Sequence, residues 1–389
     1  MKSILVVHPQ FVVIGGAEIV ALRIIDRFLS KHKSKVTLLT LESKPIAGIE
    51  SDTEMRFRED SMIIEIARCP RWLLGQRGKF HLMKLAYLHK HAKQICSRFD
   101  LCVSTYGELD FGCRGFQYIH HPSFAPRAFM NPYHMIVKND VLDAFPVLEM
   151  VYRTIVFKVS DGNTEGFRKN VTAVNSHFMK EIIHRLYGID GSILYPTFMA
   201  GGRNRRIPSW HSREFQFVSI GRFSPDKNLL ELVDLYKHIA VRYPNSRFMI
   251  AGRVSDPNYF RMVRKKADRL EVSIEFLTDA SNEQVTQLLH TSKFYVGPKR
   301  FEHFGISVLE AAYAGCATFV HDSGGQKEII SPRILRFTSG DELVTNLTSV
   351  ISNDDLRNRT LTEMKKGIAR FGLNDFYANL DTMLQPLIQ

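Results

Sequence analysis

Two carboxylates stand on either side of an expected helix start in the stretch RFEHFGISVLEAAYAG (300–315): Glu302 and Glu310, with seven residues between them. A strand-like run, KFYVGP (293–298), leads into the turn KRFEHFG. Gly305 then permits a tight backbone before the helical pattern ISVLEAAYA. The unpaired N–H groups and partial positive charge of a helix N-terminus suit phosphate. Glu302 falls just outside that terminus and Glu310 more than a turn inside it, which separates them by about 10 Å. That is wider than the roughly 5 Å of a retaining glycosidase pair and close to the upper end of the inverting range. It suits an elongated ligand such as a nucleoside diphosphate sugar, with hydroxyls at both ends and a pyrophosphate in the middle. Taken alone, the segment reads equally well as one Glu answering a helix dipole and one ordinary helical Glu.

A second segment bears on the same chemistry. VSIGRFSPDKN (218–228) runs from a strand through a turn at Gly221 to a helix start at Pro225–Asp226. Arg222 and Lys227 arrive at the strand's carboxyl end, where two cations could neutralise a departing diphosphate. A solvated surface pair is the plainer alternative. AGR (251–253) repeats the strand–Gly–Arg pattern more weakly with Arg253. In QYIHHPSF (117–124), His120 and His121 close a strand before a proline. A histidine there could hydrogen-bond a substrate hydroxyl or phosphate, or serve the structure only. VVIGGAEIVALRII (12–25) sets Gly15 and Gly16 between a strand and a helix, without the dinucleotide fingerprint. No G-x-x-x-x-G-K-[ST] and no D-x-D occurs, so neither a P-loop nor a carboxylate-held metal is expected.

The elements that must position these groups alternate along the whole chain. Short apolar runs such as SILVVH (3–8), KVTLLT (35–40), DLCVST (100–105), FQFVSIG (215–221), SRFMIAG (246–252) and CATFVHD (316–322) are separated by amphipathic stretches including 226–243, 256–270, 281–291 and 354–370. That is the pattern of α/β units around parallel sheets. RILRF (333–337) is read as a further strand. YPTFMAGGRNRRIPSWHSRE (195–214) breaks the periodicity as a linker would. Residues 1–198 and 199–370 are therefore expected to form two Rossmann-like domains, with 371–389 a helix returning to the first. Ligands of such sheets collect at the carboxyl ends of the strands.

Together these residues resemble the retaining glycosyltransferases of family 4, whose GT-B fold has two Rossmann-like, doubly wound domains facing a central cleft. The family's Glu-x7-Glu element matches Glu302 and Glu310, and HDSGGQKEII (321–330) resembles its Ser-Gly-Gly segment. GRFSPDKN, GGAE, AVNSHF (173–178) and ILYP (193–196) fall where that family carries similar motifs. The resemblance implies that Arg222 and Lys227 bind the pyrophosphate and that Glu310 holds the ribose hydroxyls. It implies that Glu302 meets the donor sugar, helped by backbone amides of Phe304, Gly305, Ile306 and Ser307. His120 would reach the transferred sugar, and Gly15 and Gly16 would line the phosphate and acceptor side. The anomeric configuration would be retained, with the departing diphosphate taking the acceptor's proton and no metal or cofactor required. The wording EHFG and YIHHP narrows the resemblance to mannosyltransferases that extend dolichol-linked precursors from GDP-mannose. Lys299, Arg300 and Tyr313 depart from the usual pattern there.

Residues 66–99 hold eight Lys and Arg and no Asp or Glu, interleaved with Trp72, Leu73, Leu74, Phe80, Leu85, Tyr87 and Leu88. A basic solvated helix packed on the first domain is one reading. An anionic membrane surface contacted by Arg71, Trp72, Lys79 and Lys84 is the other, and it fits a lipid-linked acceptor.

The chain has 389 residues, a net charge of +12 and 44% hydrophobic residues, an ordinary globular composition with a bias toward anionic partners. No nucleic-acid motif accompanies that charge, so nucleic acid is not expected. Five cysteines without a C-x-x-C pair suggest a reducing compartment. His8, Pro9 and Gln10 interrupt the first apolar run too early for a signal peptide, and no transmembrane run is present. The expectation is a hexosyltransferase at the cytoplasmic face of a membrane, using GDP-mannose. A UDP-glucose or UDP-N-acetylglucosamine enzyme and a catalytically silent nucleotide-sugar-binding subunit are the alternatives.

Overall fold

The structure, a computed structural model, describes residues 1–53, 55–57, 61–75, 80–125, 146–197 and 207–388. The chain divides into two compact units, one of Met1–Phe129, Asn139–Met199 and Phe371–Gln389, the other containing Ala200–Arg370.

The strands of the first unit are β1 (Ser3–Val7), β2 (Gln10–Phe11), β3 (Lys35–Thr40), β4 (Glu42–Ser43), β5 (Met62–Ile66), β6 (Leu101–Ser104), β7 (Phe116–Ile119), β8 (Val171–Val174) and β9 (Ser192–Ile193). Seven of them form a parallel sheet in the order β5-β3-β1-β6-β7-β8-β9, while β2 and β4 pair separately. Strands such as SILVV are apolar throughout because helices cover both faces of the sheet. Helices that matter below are α1 (Gly16–Ser30), α2 (His81–Ile95) and α3 (Pro146–Ser160).

The second unit repeats the plan with β10 (Glu214–Ile220), β11 (Arg247–Gly252), β12 (Ile274–Thr278), β13 (Ser292–Gly297), β14 (Ala317–His321) and β15 (Arg336–Phe337). Its parallel sheet runs β12-β11-β10-β13-β14-β15, and α4 (Ile306–Tyr313) follows β13. In both sheets the order turns back on itself beside the first strand, at β1/β6 and at β10/β13. Such a reversal leaves a crevice above the strand ends, where doubly wound folds bind their ligands.

The last helix, α5 (Leu373–Ile388), belongs to the first unit. Phe376, Leu380 and Leu384 recur every fourth residue on one helical face and lie in one core with Ile4, Val20, Leu38 and Val103. Asp381 on the same helix pairs with Lys31 at 2.6 Å and with Arg27 of α1.

Two sequence expectations change. Met62–Ile66 and Ser192–Ile193 are strands that the apolar runs did not single out. RILRF supplies a strand over only Arg336–Phe337, because Arg333–Leu335 turn as a 3-10 helix after Pro332 and only two residues pair with β14. The described part of the basic stretch 66–99 has a buried side and an exposed side. Leu73, Leu85 and Leu88 are buried in the unit's core, while Arg71 and Trp72 are exposed and Lys84 is half-buried. Lys79 lies outside the described residues. Among the described residues no helix is long and apolar enough to cross a membrane.

Candidate active site

The turn 221–228 leaves β10 and the turn 298–305 leaves β13, so the two carry their side chains to either side of the second unit's crevice. Pro225–Lys227 form a 3-10 turn, and Asn228 takes the left-handed conformation before the next helix begins at Leu229. This geometry brings Lys227 back over the strand end. Its Nζ stands 3.2 Å from Glu302 Oε2.

Glu302 is gripped from its other side as well, by Lys299 Nζ at 3.2 Å from Oε1. Burial pushes the Glu302 carboxyl up, but the attraction of Lys227, Lys299 and His303 outweighs it and holds the group well below the usual carboxylate range. Burial lowers Lys299 in turn, against the pull of Glu302. Asp226, raised by burial and lowered by Arg222 and Lys227, is also held ionised. It accepts a bond from Ser224 and pairs with Arg222 at 3.2 Å. The Arg222 side chain remains 60% exposed, so solvent or an anion can reach it. Arg253 is exposed, and its backbone carbonyl accepts from Phe223 N–H across the neighbouring strand end.

Two glycines shape this turn. Gly305 caps α4 at φ +105°, a conformation that L side chains rarely adopt, and supplies no side-chain acceptor to the helix's first N–H groups. Buried Phe304 and the opening residues Ile306 and Ser307 present that first turn beside Glu302. Gly324, at φ +70°, lies where a Cβ would stand 2.5 Å from the Glu302 carbonyl oxygen. The segment 321–326 thereby clasps the Glu302 turn. Ser323 Oγ accepts from Phe301 N–H, Gly325 N–H donates to the Glu302 carbonyl, and the Gln326 amide donates to the carbonyls of Lys299 and His321.

Glu310 has a different environment. Burial alone drives its carboxyl up, to about 7. Tyr295, whose hydroxyl meets Ser307 Oγ at 3.1 Å, is raised by burial first and then by both Glu302 and Glu310. Both carboxylates therefore act on one phenol, which itself meets the first turn of α4 at Ser307. One is neutralised by cations and the other is held without one, a contrast of environments of the kind that functional sites carry.

The first unit gathers a second group of residues at the carboxyl ends of β1, β6 and β7. Gly15 N–H donates to Glu18 Oε2 at 2.9 Å, and Glu18 Oε1 lies 3.5 Å from Nε2 of buried His8. His8 Nδ1 meets Thr105 Oγ1 at 2.9 Å. Gly15 and Gly16 thus sit at the start of α1 with a carboxylate folded back beneath them. The His120 ring lies 4.6 Å from that of Tyr118, tilted by 54°, and its Nε2 is buried with no hydrogen-bond partner. Burial, then the neighbouring His8 and His121, lowers it to about 3, so it is a neutral imidazole with an unused nitrogen. Among the described residues no three His, Cys, Asp or Glu come together as a metal-holding group.

Sequence reasoning missed Lys299, which it treated as a departure, and it assigned nothing to Tyr295. It marked the Ser-Gly-Gly segment without finding its clasping task. Glu18 and His8 were passed over because the spacing of a helix-start Glu and a strand-end His says nothing of their meeting.

Residues 202–366 match the family model of the "Glycosyl transferases group 1". The second unit is a group 1 glycosyl transferase domain. Within it fall Arg222, Lys227, Lys299, Glu302 and Glu310. Over 175 residues the chain is 28% identical to a GDP-Man:Man(3)GlcNAc(2)-PP-Dol alpha-1,2-mannosyltransferase of Dictyostelium discoideum, covering 41% of this chain and 34% of that one. Over 265 residues it is 27% identical to the mouse alpha-1,3/1,6-mannosyltransferase ALG2, covering 62% and 60%. The chain thus spans about a third of the first relative's length and three fifths of the second's. The solved structure of WaaG, a glycosyltransferase involved in lipopolysaccharide biosynthesis, matches 99% of both chains with a TM-score of 0.68 at 13% identity. That likeness shows the GT-B fold over the whole chain.

Proposed function

We propose that this protein transfers mannose from GDP-mannose to a hydroxyl of a lipid-linked saccharide, with retention at the anomeric carbon. The observation that carries the reading is the Glu302 carboxylate held between Lys227 and Lys299 at the sheet's switch point, next to the N-terminus of α4. A diphosphate entering there meets Lys227, exposed Arg222 and the helix N–H groups, which together stabilise the charge that grows as the sugar–phosphate bond breaks. Glu310, without a cation of its own, accepts the ribose hydroxyls, and Glu302 the hydroxyls of the sugar. The bond from the anomeric carbon to the diphosphate oxygen breaks while the bond to the acceptor oxygen forms on the same face. The departing diphosphate takes the acceptor's proton. In the first unit, His120, neutral and with Nε2 unpaired, is a hydrogen-bonding group that suits a sugar hydroxyl.

The Dictyostelium relative, a GDP-Man:Man(3)GlcNAc(2)-PP-Dol mannosyltransferase, supports GDP-mannose and a dolichol-linked acceptor, and the mouse mannosyltransferase supports mannose. The reading needs no metal and places the enzyme at the surface of the membrane that holds its acceptor. Melting curves with GDP, UDP, ADP and their sugars test it. GDP and GDP-mannose should raise the melting temperature most, and mannose transfer to a polyprenyl-linked acceptor should persist in EDTA. A larger shift with UDP-sugars would overturn the donor, and no shift with any nucleotide would overturn the site.

A further inference from the structure

Helix α3 (Pro146–Ser160) presents side chains to solvent that a folded protein ordinarily hides. Val147 is 69% exposed, Leu148 54%, Met150 63%, Val151 47% and Ile155 48%. Val147, Val151 and Ile155 lie one above another at intervals of four residues, with Leu148 and Met150 flanking them. The opposite side of the helix is the packed one, with Val156 and Ser160 buried. The five side chains offer on the order of 400–500 Å² of apolar surface, near the top of what a soluble monomer exposes on one patch.

Charge says what this surface meets. The only acid of the helix, Glu149, is turned inward and bound to Arg153 at 2.9 Å. Arg153 in turn donates to the Ala125 carbonyl. Lys158 is exposed at the helix's end, and Asp161 just beyond is paired with Lys93 of α2 at 3.6 Å. Helix α2, against which α3 packs, carries Lys84, Lys90 and Lys93 and no acid at all. Lys90 and Lys158 are exposed, while Lys93 is held by Asp110 at 3.0 Å and by Asp161; apart from exposed Asp161 at the end of α3, neither helix offers a solvent-facing carboxylate, so the surface stays net positive. A second copy of the same surface would set like charges against each other. A hydrocarbon layer under anionic headgroups answers both the apolar stripe and the cations.

We propose that α3 is the segment that enters the membrane surface, with its apolar side chains among the acyl chains and the lysines of α2 and α3 at the headgroups of an anionic bilayer. This deepens the lipid-linked acceptor reading and rests on it. It adds an apolar surface to the basic stretch 66–99, where Leu73, Leu85 and Leu88 are buried and Trp72 and Phe80 are exposed.

The test is co-sedimentation with vesicles of phosphatidylcholine, with and without about a third phosphatidylserine, in the range where polybasic surfaces respond to charge. Full-length protein is compared with a Leu148→Ser, Met150→Ser, Val151→Ser variant. The control is Val241→Ser, equally exposed at 75% in the second unit. The expected result is binding of wild type and control to the anionic vesicles and at least about a tenfold loss in the triple variant. Its melting temperature and its GDP-mannose-induced shift should be unchanged. Unchanged vesicle binding by the triple variant would overturn the proposal. So would equal binding of wild type to neutral vesicles, or a variant that differs only by losing a dimer in sedimentation equilibrium. Since donor binding is read without lipid, loss of the vesicle result leaves the glycosyltransferase reading standing. A failed donor shift with intact vesicle binding would do the reverse.

Discussion

Glu310 is the carboxyl whose replacement is most informative, because its two states separate binding from folding. Buried without a cation, it titrates at about 7 instead of the ordinary 4.5. Between those values the folded protein keeps a proton that the unfolded chain has lost. Stability therefore falls as pH rises from about 4.5 to 7 and levels off above that. At about 1.4 kcal/mol per pH unit, the loss approaches 3 kcal/mol in order of magnitude. Glu310→Gln mimics the protonated form and removes the titration. Wild type should lose up to about 6–12 °C more in melting temperature between pH 5 and pH 8 than the variant does, for a unit of this size. Calorimetry that resolves the second unit's transition reads this directly. Ribose hydroxyls donating to the ionised carboxylate would pull its titration back down. Donor binding by wild type near pH 6 should thus release a proton, detectable as a dependence of the binding heat on buffer ionisation. Equal pH dependence of melting in the two proteins would refute the burial argument. Proton release that persists in Glu310→Gln would refute the assignment to ribose.

Lys227→Ala and Arg222→Ala should each lower turnover by about 100-fold or more, as removal of one charge-stabilising donor does; Arg222→Ala should leave melting little changed, while Lys227→Ala lowers it by leaving buried Glu302 short of a cation. Steady-state transfer assays read this, and near-normal rates would remove the diphosphate assignment. Lys299→Ala should raise the titration of Glu302 and move the acid limb of the rate–pH profile upward, with Lys299→Arg restoring most of it; an unmoved limb would leave Lys299 a bystander. Gly324→Ala forces a Cβ to 2.5 Å from the Glu302 carbonyl at φ +70°. It should cost about 1–3 kcal/mol of stability and most of the activity, read by denaturant titration and by transfer assay. Leu380→Ala, far from any chemistry, should destabilise the first unit by about 2–5 kcal/mol through the cavity it leaves.

Much of this was legible from periodicity. Apolar runs of strand length, alternating with amphipathic stretches, are what a buried parallel sheet requires, and those runs became the central strands of both sheets. Edge strands were harder to see. MIIEI and SI sit at the ends of the first sheet, half-covered and short, where composition is least constrained. In the site, Glu302, Lys227 and Arg222 could be singled out because their motifs are local. The second cation on Glu302 could not, since Lys299 three residues away looks like any surface lysine until the turn folds it back. Nor could the leucines of 66–99 be assigned to core or surface. A helix with one buried and one basic face reads the same from the sequence whether water or lipid lies beyond it.

The descent of α5 into the first unit's core has a consequence for how this protein is made. Ile4 and Leu384 share one core although nearly the whole chain lies between them. On a ribosome the first unit cannot complete its interior until residues 373–388 have been synthesised, whereas Ala200–Arg370 can close as soon as they emerge. The usual N-terminal-first order of assembly is inverted. During that wait Ile4, Val20 and Leu38 lack the side chains that will cover them, and it is then that a chaperone would find the nascent protein.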